Sequence, residues 1–291
     1  MSATEWTGTD QHPNARDLSP YLVHLTRSRA DLESILTSGV IEARNPFGIA
    51  RTRVIAGGTQ NAVCLTETPI PELKRMTSRG RVYGIVFAKE RLRVDFGATP
   101  VWYVTDDSAQ HLAIRSLMDS SANPTDPIWR LTPLIDVVID SPRLRYDFRW
   151  EREWRVNGDL VFPNGAVAAL LIPDASGELE AVRATVGNYL FVTPDEDFFW
   201  AGNADELQED AFKLLIDEFL EKFITVDEAG LPLDREAEYG LAAVVPIIEA
   251  TDAVYELFEE LPEPIRDSLA DQIQDTSQLW CRRDDVDHAH E

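Results

Sequence analysis

Residues 21–39, YLVHLTRSRADLESILTSG, begin with six residues typical of a buried strand and continue with a helical pattern. Ser28 is a favourable N-terminal helix cap, and Asp31 stands at the third helical position. Apolar residues then recur at helical spacing until Gly39, a residue type that commonly ends helices. The stretch therefore predicts a strand–turn–helix unit at the start of the domain.

Outward from this unit, the chain alternates between β-rich and helical patterns. Further strands are predicted at 62–66, 82–87, 101–104 and 166–172, and helices at 107–119 and 177–190. Residues 144–162 favour a hairpin that turns at Asn157-Gly158. We expect an α+β domain over residues 18–200 with helical additions, preceded by a loose N-terminus at 1–17.

The charge of the chain is divided unevenly. Its formal net charge is −24, of which residues 1–200 carry −5 and residues 201–291 carry −19. Amphipathic patterns at about 204–224, 236–260 and 264–280 predict that residues 201–291 form an acidic α-helical appendage with a charged tail. Such a segment repels phosphate backbones, so it is not expected to bind nucleic acid. Its expected partner is a basic protein.

Composition also bears on the location of the protein. The N-terminal residues have no secretory-signal pattern, and the longest clean apolar run, residues 166–172, is far too short to cross a bilayer. Two cysteines are too few for a disulfide framework. We expect a cytoplasmic protein without membrane contact. Common phosphate-loop, dinucleotide, hydrolase and zinc-protease motifs are absent from the sequence, and no metal site is predicted.

Three short segments carry polar residues at positions that suit a binding site. In the first, His24 and Thr26 share one face of the predicted strand because side chains alternate along it. They are suited to hydrogen-bond a ribose or a carboxamide. The alternative is a satisfied histidine at a strand end beside an ordinary helix-initiating threonine.

The second segment is Cys64-Leu-Thr-Glu-Thr-Pro69. Thr66 lies near the end of a core strand, and Glu67 leaves that end where it would orient a ligand or a neighbouring arginine. A surface glutamate beside a helix-starting proline is the alternative for Glu67. Nothing near Cys64 in the sequence would lower its pKa, so we interpret it as a buried apolar residue.

The third segment, Trp150-Glu-Arg-Glu-Trp-Arg155, is the least ordinary in the chain. Strand alternation predicts Glu151, Glu153 and Arg155 on one face. Two carboxylates this close repel each other, which raises the pKa of one, while Arg155 would hold the other ionised. A surface ladder of salt bridges is the alternative.

In their order along the chain, these segments resemble the AbiG-type abortive-infection family of phage-resistance proteins. The resemblance rests on His24-x-Thr26, on residues 63–69, 83–87 and 100–103, and on Glu151-x-Glu-Trp-Arg155, and it covers about residues 20–175. At a coarser level the same order is similar to that of ADP-ribosyltransferases. That family has a His or Arg on its first core strand, a Ser/Thr/Tyr motif on a middle strand and a glutamate motif on a late strand.

The second resemblance implies an ADP-ribosyltransferase-like fold, with a mixed β-sheet core and flanking helices. It also implies NAD as a co-substrate and a role for most of these residues. His24 and Thr26 would contact the ribose and the nicotinamide amide of NAD. Thr66 would line the nicotinamide pocket, with Tyr103 or Tyr83 as its stacking tyrosine.

The same resemblance implies that a pair of glutamates, Glu151 and Glu153, carries out the chemistry. Glu153 would be the second glutamate of the catalytic motif and stabilise the positive charge that develops on the ribose. Glu151 would orient or deprotonate the acceptor. Glu67 and Arg155 would be further residues that bind the cofactor.

Two functions of different classes follow. The first is a phage-defence ADP-ribosyltransferase that modifies RNA, DNA or a protein. The alternative is a non-enzymatic antitoxin or sensor whose acidic helices bind a basic partner. A metal-dependent nuclease has little support in the sequence. Every candidate site residue lies before residue 201, so residues 201–291 are predicted to be a regulatory or docking module.

Overall fold

The fold is described from a computed structural model. The structure describes residues 19–46, 48–53, 60–77, 80–140, 145–174, 177–194, 197–200, 202–224 and 247–273. Three regions named in the sequence analysis lie wholly or partly outside these residues. They are the loose segment 1–17, the beginning of the helix predicted from about 236, and the tail after 273.

An eight-stranded mixed sheet forms the centre of the molecule. Its strands lie in the order β13 (Phe198–Phe199), β12 (Phe191–Val192), β11 (Val167–Leu171), β4 (Tyr83–Ala88), β1 (Tyr21–Thr26), β3 (Ala62–Thr66), β9 (Glu153–Asn157) and β5 (Thr99–Pro100). Neighbouring strands are antiparallel except for β11 and β12, which are parallel. The expected α+β class with a mixed sheet is confirmed.

Two smaller sheets accompany the large one. β2 (Val40–Ile41) pairs antiparallel with β10 (Leu160–Val161). β6 (Trp102–Thr105) runs parallel to β7 (Ile135–Asp140), which pairs antiparallel with β8 (Arg145–Tyr146). The three-stranded sheet meets the large sheet at β9, where Arg155 contacts Asp136 of β7.

The described helices are α1 (Arg29–Ser38), α2 (Lys74–Thr77), α3 (Lys89–Phe96), α4 (Ala109–Ser120), α5 (Ile128–Leu131), α6 (Glu178–Val186), α7 (Glu209–Ile224), α8 (Ile247–Leu257) and α9 (263–273). Short 3-10 helices occupy Ile70–Leu73, Thr132–Leu134, Arg149–Glu151, Asn164–Ala166 and Ala204–Glu206. Among these helices, none combines the length and the apolar character needed to traverse a lipid bilayer.

The strand–turn–helix unit forms as its sequence predicts. The Ser28 side chain accepts the backbone N–H of Asp31 at 3.2 Å, which satisfies a donor at the start of α1. Gly39 ends the helix with φ of 65°, a left-handed conformation that glycine adopts without steric cost. Its N–H bonds the carbonyl of Ile35 at 2.8 Å. Both boundaries are therefore set by local sequence.

Each face of the large sheet covers a separate apolar core. On one face, alternate strand residues pack with α1, α3 and α6, and the buried residues include Leu22, Leu32, Ile85, Phe87, Leu92, Leu170 and Val182. On the other face they pack with α7, α8 and α9, and the buried residues include Val23, Val86, Ala169, Leu214, Phe219, Phe258 and Leu269. Burial on both faces explains why β4 and β11 are almost continuously apolar.

This packing revises the proposed division at residue 200. The described helices of residues 201–291 are not a separate appendage, because Leu214, Leu215 and Phe219 of α7 belong to the same core as strands β1, β4 and β11. Their acidic side chains also meet the domain, since Asp210 pairs with Arg91 of α3 at 2.7 Å. The amphipathic pattern correctly indicated helices, but their apolar faces cover the sheet.

The predicted hairpin at 144–162 is wrong. β9 pairs with β3 and β5, whereas β10 pairs with β2, so the Asn157-Gly158 turn connects strands of different sheets. Gly158 has φ of 77°, as a tight turn requires. The turn residues were identified correctly, but pairing depends on strands that lie far away in the sequence.

Candidate functional site

A buried ion pair joins the two charged residues of β9. Arg155 is 1% exposed, and its Nε and Nη2 donate to the two carboxylate oxygens of Glu153 at 2.9 and 2.7 Å. Residues two apart on a strand project to the same face, which allows this forked contact. The Glu153 side chain keeps 13% of its surface exposed. Arg155 therefore orients a carboxylate that solvent still reaches.

Arg155 also ties β9 to the three-stranded sheet. Its Nη1 donates to the carbonyl of Pro133 at 2.7 Å, and its Nη2 lies 3.5 Å from a carboxylate oxygen of Asp136 on β7. Burial alone lowers the pKa of Arg155, but the hydrogen bonds and charge of Glu153 raise it overall. Burial raises the pKa of Asp136. The hydrogen bond from the Val137 N–H and the charge of Arg155 lower it, but burial has the larger effect. The guanidinium is thus a permanent cation between two carboxylates.

Tyr103 of β6 faces the same ion pair. Burial, followed by the negative charges of Glu153 and Asp136, raises the pKa of Tyr103, so its hydroxyl stays protonated at neutral pH. That hydroxyl donates to the carbonyl of Phe148 at 3.2 Å. The structure therefore places Tyr103 in the neighbourhood of Glu153. Tyr83, the competing stacking tyrosine, is the Cα partner of Thr26, and its hydroxyl donates to Glu178 of α6 at 2.7 Å.

Cys64 of β3 is the Cα partner of Arg155 on the neighbouring strand β9. Burial and the adjacent charge of Glu153 raise the pKa of the Cys64 thiol to about 12, although Arg155 opposes the shift. A thiol with this pKa contains very little thiolate at neutral pH and is a poor nucleophile. The sequence-based interpretation of Cys64 as an unreactive residue agrees with this environment.

Thr66 is the Cα partner of Glu153, and it holds the backbone immediately before β9. Its hydroxyl donates to the backbone carbonyl of Glu151 at 2.6 Å and lies 2.8 Å from the hydroxyl of Thr68. The side chain is buried, so Thr66 holds the chain next to Glu153 and contributes little surface of its own.

The predicted strand position of Glu151 is wrong. Glu151 ends a 3-10 helix, and Arg152 follows with φ of 46°, a left-handed conformation that breaks the alternation before β9 begins at Glu153. Glu151 therefore does not share the regular strand face of Glu153 and Arg155. The two glutamates are joined through Thr66, which binds the Glu151 carbonyl and lies opposite Glu153.

His24 and Thr26 share a face, as predicted, but it is the opposite face from Glu153. Val23 is the partner of Thr66, and Thr66 is the partner of Glu153, so these three side chains lie on one side of the sheet. Alternation directs His24 and Thr26 to the other side. The expected convergence of these two residues with Glu153 on a single surface is therefore wrong.

His24 and Thr26 make local contacts on that face. His24 Nδ1 donates to the carbonyl of Cys64 at 2.9 Å, and the Thr26 hydroxyl donates to the carbonyl of Ser28 at 3.4 Å. Burial lowers the pKa of His24, and Arg81 and Arg44 add to the effect, although the Cys64 hydrogen bond opposes it. His24 is thus neutral at pH 7 and connects β1 to β3.

Glu67 belongs to a buried network rather than to an exposed strand end. Its two oxygens accept from Lys89 Nζ at 2.6 Å and from Trp154 Nε1 at 2.9 Å. Lys89 also donates to the carbonyl of Ser19 at 2.6 Å. The cation that Glu67 orients is therefore a lysine, and the network joins the ends of β3 and β9 to α3.

Replacing His24 with asparagine is expected to reduce the loss of stability on acidification. The folded pKa lies below the ordinary value of 6.5, so the unfolded chain takes up a proton first and stability falls as pH drops through about 6.5. Asparagine keeps an N–H donor for Cys64 but does not titrate. Urea unfolding at a series of pH values between 8 and about 5 measures the effect. Identical pH slopes for the two proteins would contradict it.

Sequence reasoning missed Asp136 and the carbonyl of Pro133 as members of the site. Asp136 lies in the run Ile135-Asp-Val-Val-Ile139, where a single acidic residue interrupts a β-branched apolar strand. A carboxylate at such a position needs a buried partner, and this pattern was the available signal. The role of the Pro133 carbonyl could not be predicted, because every residue has a backbone carbonyl and the sequence does not show which one accepts a hydrogen bond.

A second polar group lies at the start of α4. Asp106, Asp107 and His111 have potential metal-ligating atoms within 4.8 Å of one another. His111 Nδ1, however, accepts the backbone N–H of Asp107 at 2.9 Å, so the imidazole already holds the start of the helix. We assign no metal to this group.

Comparisons of the chain with protein-family models, with curated proteins and with solved structures found no match.

Proposed function

We propose that the protein is an NAD-dependent ADP-ribosyltransferase of the phage-defence type, with Glu153 as its catalytic carboxylate. The observation that carries the proposal is the neighbourhood of Glu153. It is an oriented, partly exposed carboxylate between two sheets, with a threonine opposite and a tyrosine beside it.

The order of the strands supports the proposal. The resemblance assigns the three motifs of ADP-ribosyltransferases to a first, a middle and a late strand. β3 and β9, which carry the middle and late segments, are adjacent in the large sheet, and Thr66 and Glu153 are Cα partners on them. β1 is the next strand, but His24 and Thr26 face the other side of the sheet, so the support comes from the middle and late segments.

Glu153 suits the charge that this reaction develops. When the bond between nicotinamide and ribose breaks, the ribose becomes positively charged, and a fixed carboxylate nearby stabilises it. The Arg155 fork holds Glu153 before the reaction begins, so no reorganisation is needed. The acceptor then forms the new bond to the ribose carbon and loses its proton, for which we assign Glu151.

In this proposal the other predicted residues have different roles from those that the resemblance implies. Tyr103 is the ring that would line the nicotinamide pocket, since it is the tyrosine beside Glu153. Thr66 and Arg155 position the two glutamates. His24, Thr26 and Glu67 support the strands from other places, so we no longer propose them as NAD contacts.

Glu153→Gln is expected to lower ADP-ribose transfer by about 100-fold or more, because an uncharged amide cannot stabilise the developing cation. Transfer of label from NAD to protein, RNA and DNA of a cell lysate measures the activity and identifies the acceptor class. A shift of melting temperature with NAD reports binding independently of chemistry.

Glu90→Gln is the matched control, because Glu90 is an exposed glutamate on α3 that also contacts an arginine. It is expected to keep full activity. Transfer that persists unchanged in Glu153→Gln would overturn the assignment. So would a wild-type protein that neither transfers label nor melts at a higher temperature with NAD.

The alternative, a non-enzymatic binder that presents acidic helices, has weaker support. Asp217 of α7 accepts a hydrogen bond from Tyr21 at 2.7 Å, and Asp210 pairs with Arg91. These acidic groups bind the chain's own sheet and helix. We therefore propose the enzyme, with a macromolecular acceptor.

A further inference from the structure

Four exposed arginines from separate segments of the chain lie at one end of the large sheet. Two of them flank the end of β1. The last residue of β1, Thr26, lies opposite Tyr83, the first residue of β4. Arg27 follows Thr26 and Arg81 precedes Tyr83, so both arginines lie at the same end of these antiparallel strands.

The other two arginines continue this line across β3 and β9. Arg44 pairs with Ala62, the first residue of β3, through two backbone hydrogen bonds of 2.9 and 3.1 Å. Ala62 is also the partner of Asn157, the last residue of β9, and the Asn157 side chain donates to the carbonyl of Arg130 at 2.8 Å. From β4 to β9 the line crosses three strand spacings, or about 14 Å. The arginine row consists of Arg27, Arg44, Arg81 and Arg130.

Within the part of the chain that the structure describes, none of these four guanidinium groups pairs with a carboxylate. This is unusual in a chain with 51 acidic and 27 basic side chains. Other exposed arginines do form ion pairs, among them Arg29, Arg53 and Arg149. The row therefore has an uncompensated positive charge in an otherwise acidic protein.

The carboxylates nearest to the row in sequence bind other groups. Asp31 accepts a hydrogen bond from the Ser28 hydroxyl at 2.7 Å, and Asp159 accepts the backbone N–H of Ala43 at 2.7 Å. Glu42, which is exposed, makes no ion pair with Arg44. All four guanidinium groups thus keep their donors for a ligand.

Two members of the row lie near the same imidazole. Burial is the main cause of the lowered pKa of His24, and the charges of Arg81 and Arg44 add to it. Arg81 reaches His24 from the β4 side of β1, and Arg44 reaches it from the β3 side. Because electrostatic effects weaken with distance, both guanidinium groups lie close to the end of β1.

We propose that the arginine row binds the phosphate backbone of a single-stranded nucleic acid. Guanidinium groups donate paired hydrogen bonds to phosphate oxygens, and they bind phosphate better than most cations do. One stacked strand carries a phosphate about every 3.4 Å, so a row of about 14 Å spans roughly four phosphates. Charges more than about 10 Å away are largely screened at 0.1 M salt, so the local row outweighs the distant acidic side chains.

The row also lies within reach of the candidate carboxylate. Glu153 precedes Asn157 by four residues on β9, which places it about 13 Å from the row along the strand. A nucleic acid that lies along the row would bring a nucleotide to Glu153 and serve as the acceptor. This last step rests on the proposed function, whereas binding of the nucleic acid does not.

Single-stranded DNA and RNA of about 20 nucleotides, labelled with a fluorophore, are the probes. Fluorescence anisotropy measures their binding to the full chain without NAD, at salt concentrations from about 50 to 200 mM. Four phosphate contacts are expected to give a slope of about −3 for the logarithm of the association constant against that of the salt concentration. Arg44→Gln and Arg81→Gln are each expected to weaken binding by about 3- to 10-fold and to make this slope shallower.

Arg93→Gln is the matched control, because Arg93 is an exposed arginine on α3, which follows the opposite end of β4. It is expected to bind both probes like the wild type. No saturable binding up to about 100 μM protein at about 50 mM salt would overturn the proposal. Equal affinities of the wild type, Arg44→Gln and Arg81→Gln would also overturn it, as would equally tight binding of a poly-glutamate chain of the same charge.

The two proposals fail in different ways. A protein that binds the oligonucleotides but transfers no ADP-ribose contradicts the proposed function alone. A protein that transfers ADP-ribose to lysate proteins but does not bind the oligonucleotides contradicts the role of the arginine row alone.

Discussion

Arg155→Met is expected to lower the free energy of unfolding by about 3–5 kcal/mol. The substitution keeps most of the apolar stem but removes the cation that lies between Glu153 and Asp136. Two carboxylates then face each other in a buried place with no compensating charge, and the Pro133 carbonyl loses its donor. Urea unfolding followed by circular dichroism measures the loss.

The chain contains an unusually close control for this substitution. Arg149 binds Asp147, two residues away, through the same fork of Nε and Nη2, at 2.9 and 2.7 Å. The Arg149 side chain is 62% exposed, so Arg149→Met is expected to cost less than about 1 kcal/mol. The two pairs share the fork and differ in burial, and Arg155 has additional contacts with the Pro133 carbonyl and Asp136. Equal losses for both variants would show that burial does not determine the energy of the Arg155 pair.

A chain that ends at residue 200 is expected not to fold. It lacks α7, α8 and α9, and the face of the sheet that includes Val23, Val86 and Ala169 would be exposed to water. Full burial of one large apolar side chain contributes about 1.5–3 kcal/mol, and many are lost together. The loss exceeds the 5–15 kcal/mol by which domains are stable. Circular dichroism and limited proteolysis of the purified chain measure the outcome.

A chain that ends at residue 273 is the control, because it keeps every described residue of α7, α8 and α9. It is expected to fold and to melt cooperatively. A folded chain of 200 residues would contradict the assignment of these helices to the core. It would also restore the idea of a separable regulatory module.

Much of the local structure could be predicted from the sequence. The capped helix α1, strands β1 and β3, and the amphipathic helix that includes α7 all carry signals within a few residues of one another. The candidate carboxylate Glu153 and its partner Arg155 were also predicted, because strand alternation joins residues two apart.

The sequence by itself thus determined the strand–turn–helix unit with its caps, the amphipathic helix that includes α7 and the local Glu153–Arg155 pair, since hydrophobic period and hydrogen bonding act over a few residues. Only the tertiary structure decided that β9 pairs with β3, that His24 lies on the opposite face from Glu153, and that Asp136 joins the ion pair. It also decided that α7 covers the sheet. These outcomes depend on strand register and on burial, which are set by residues far apart in the chain.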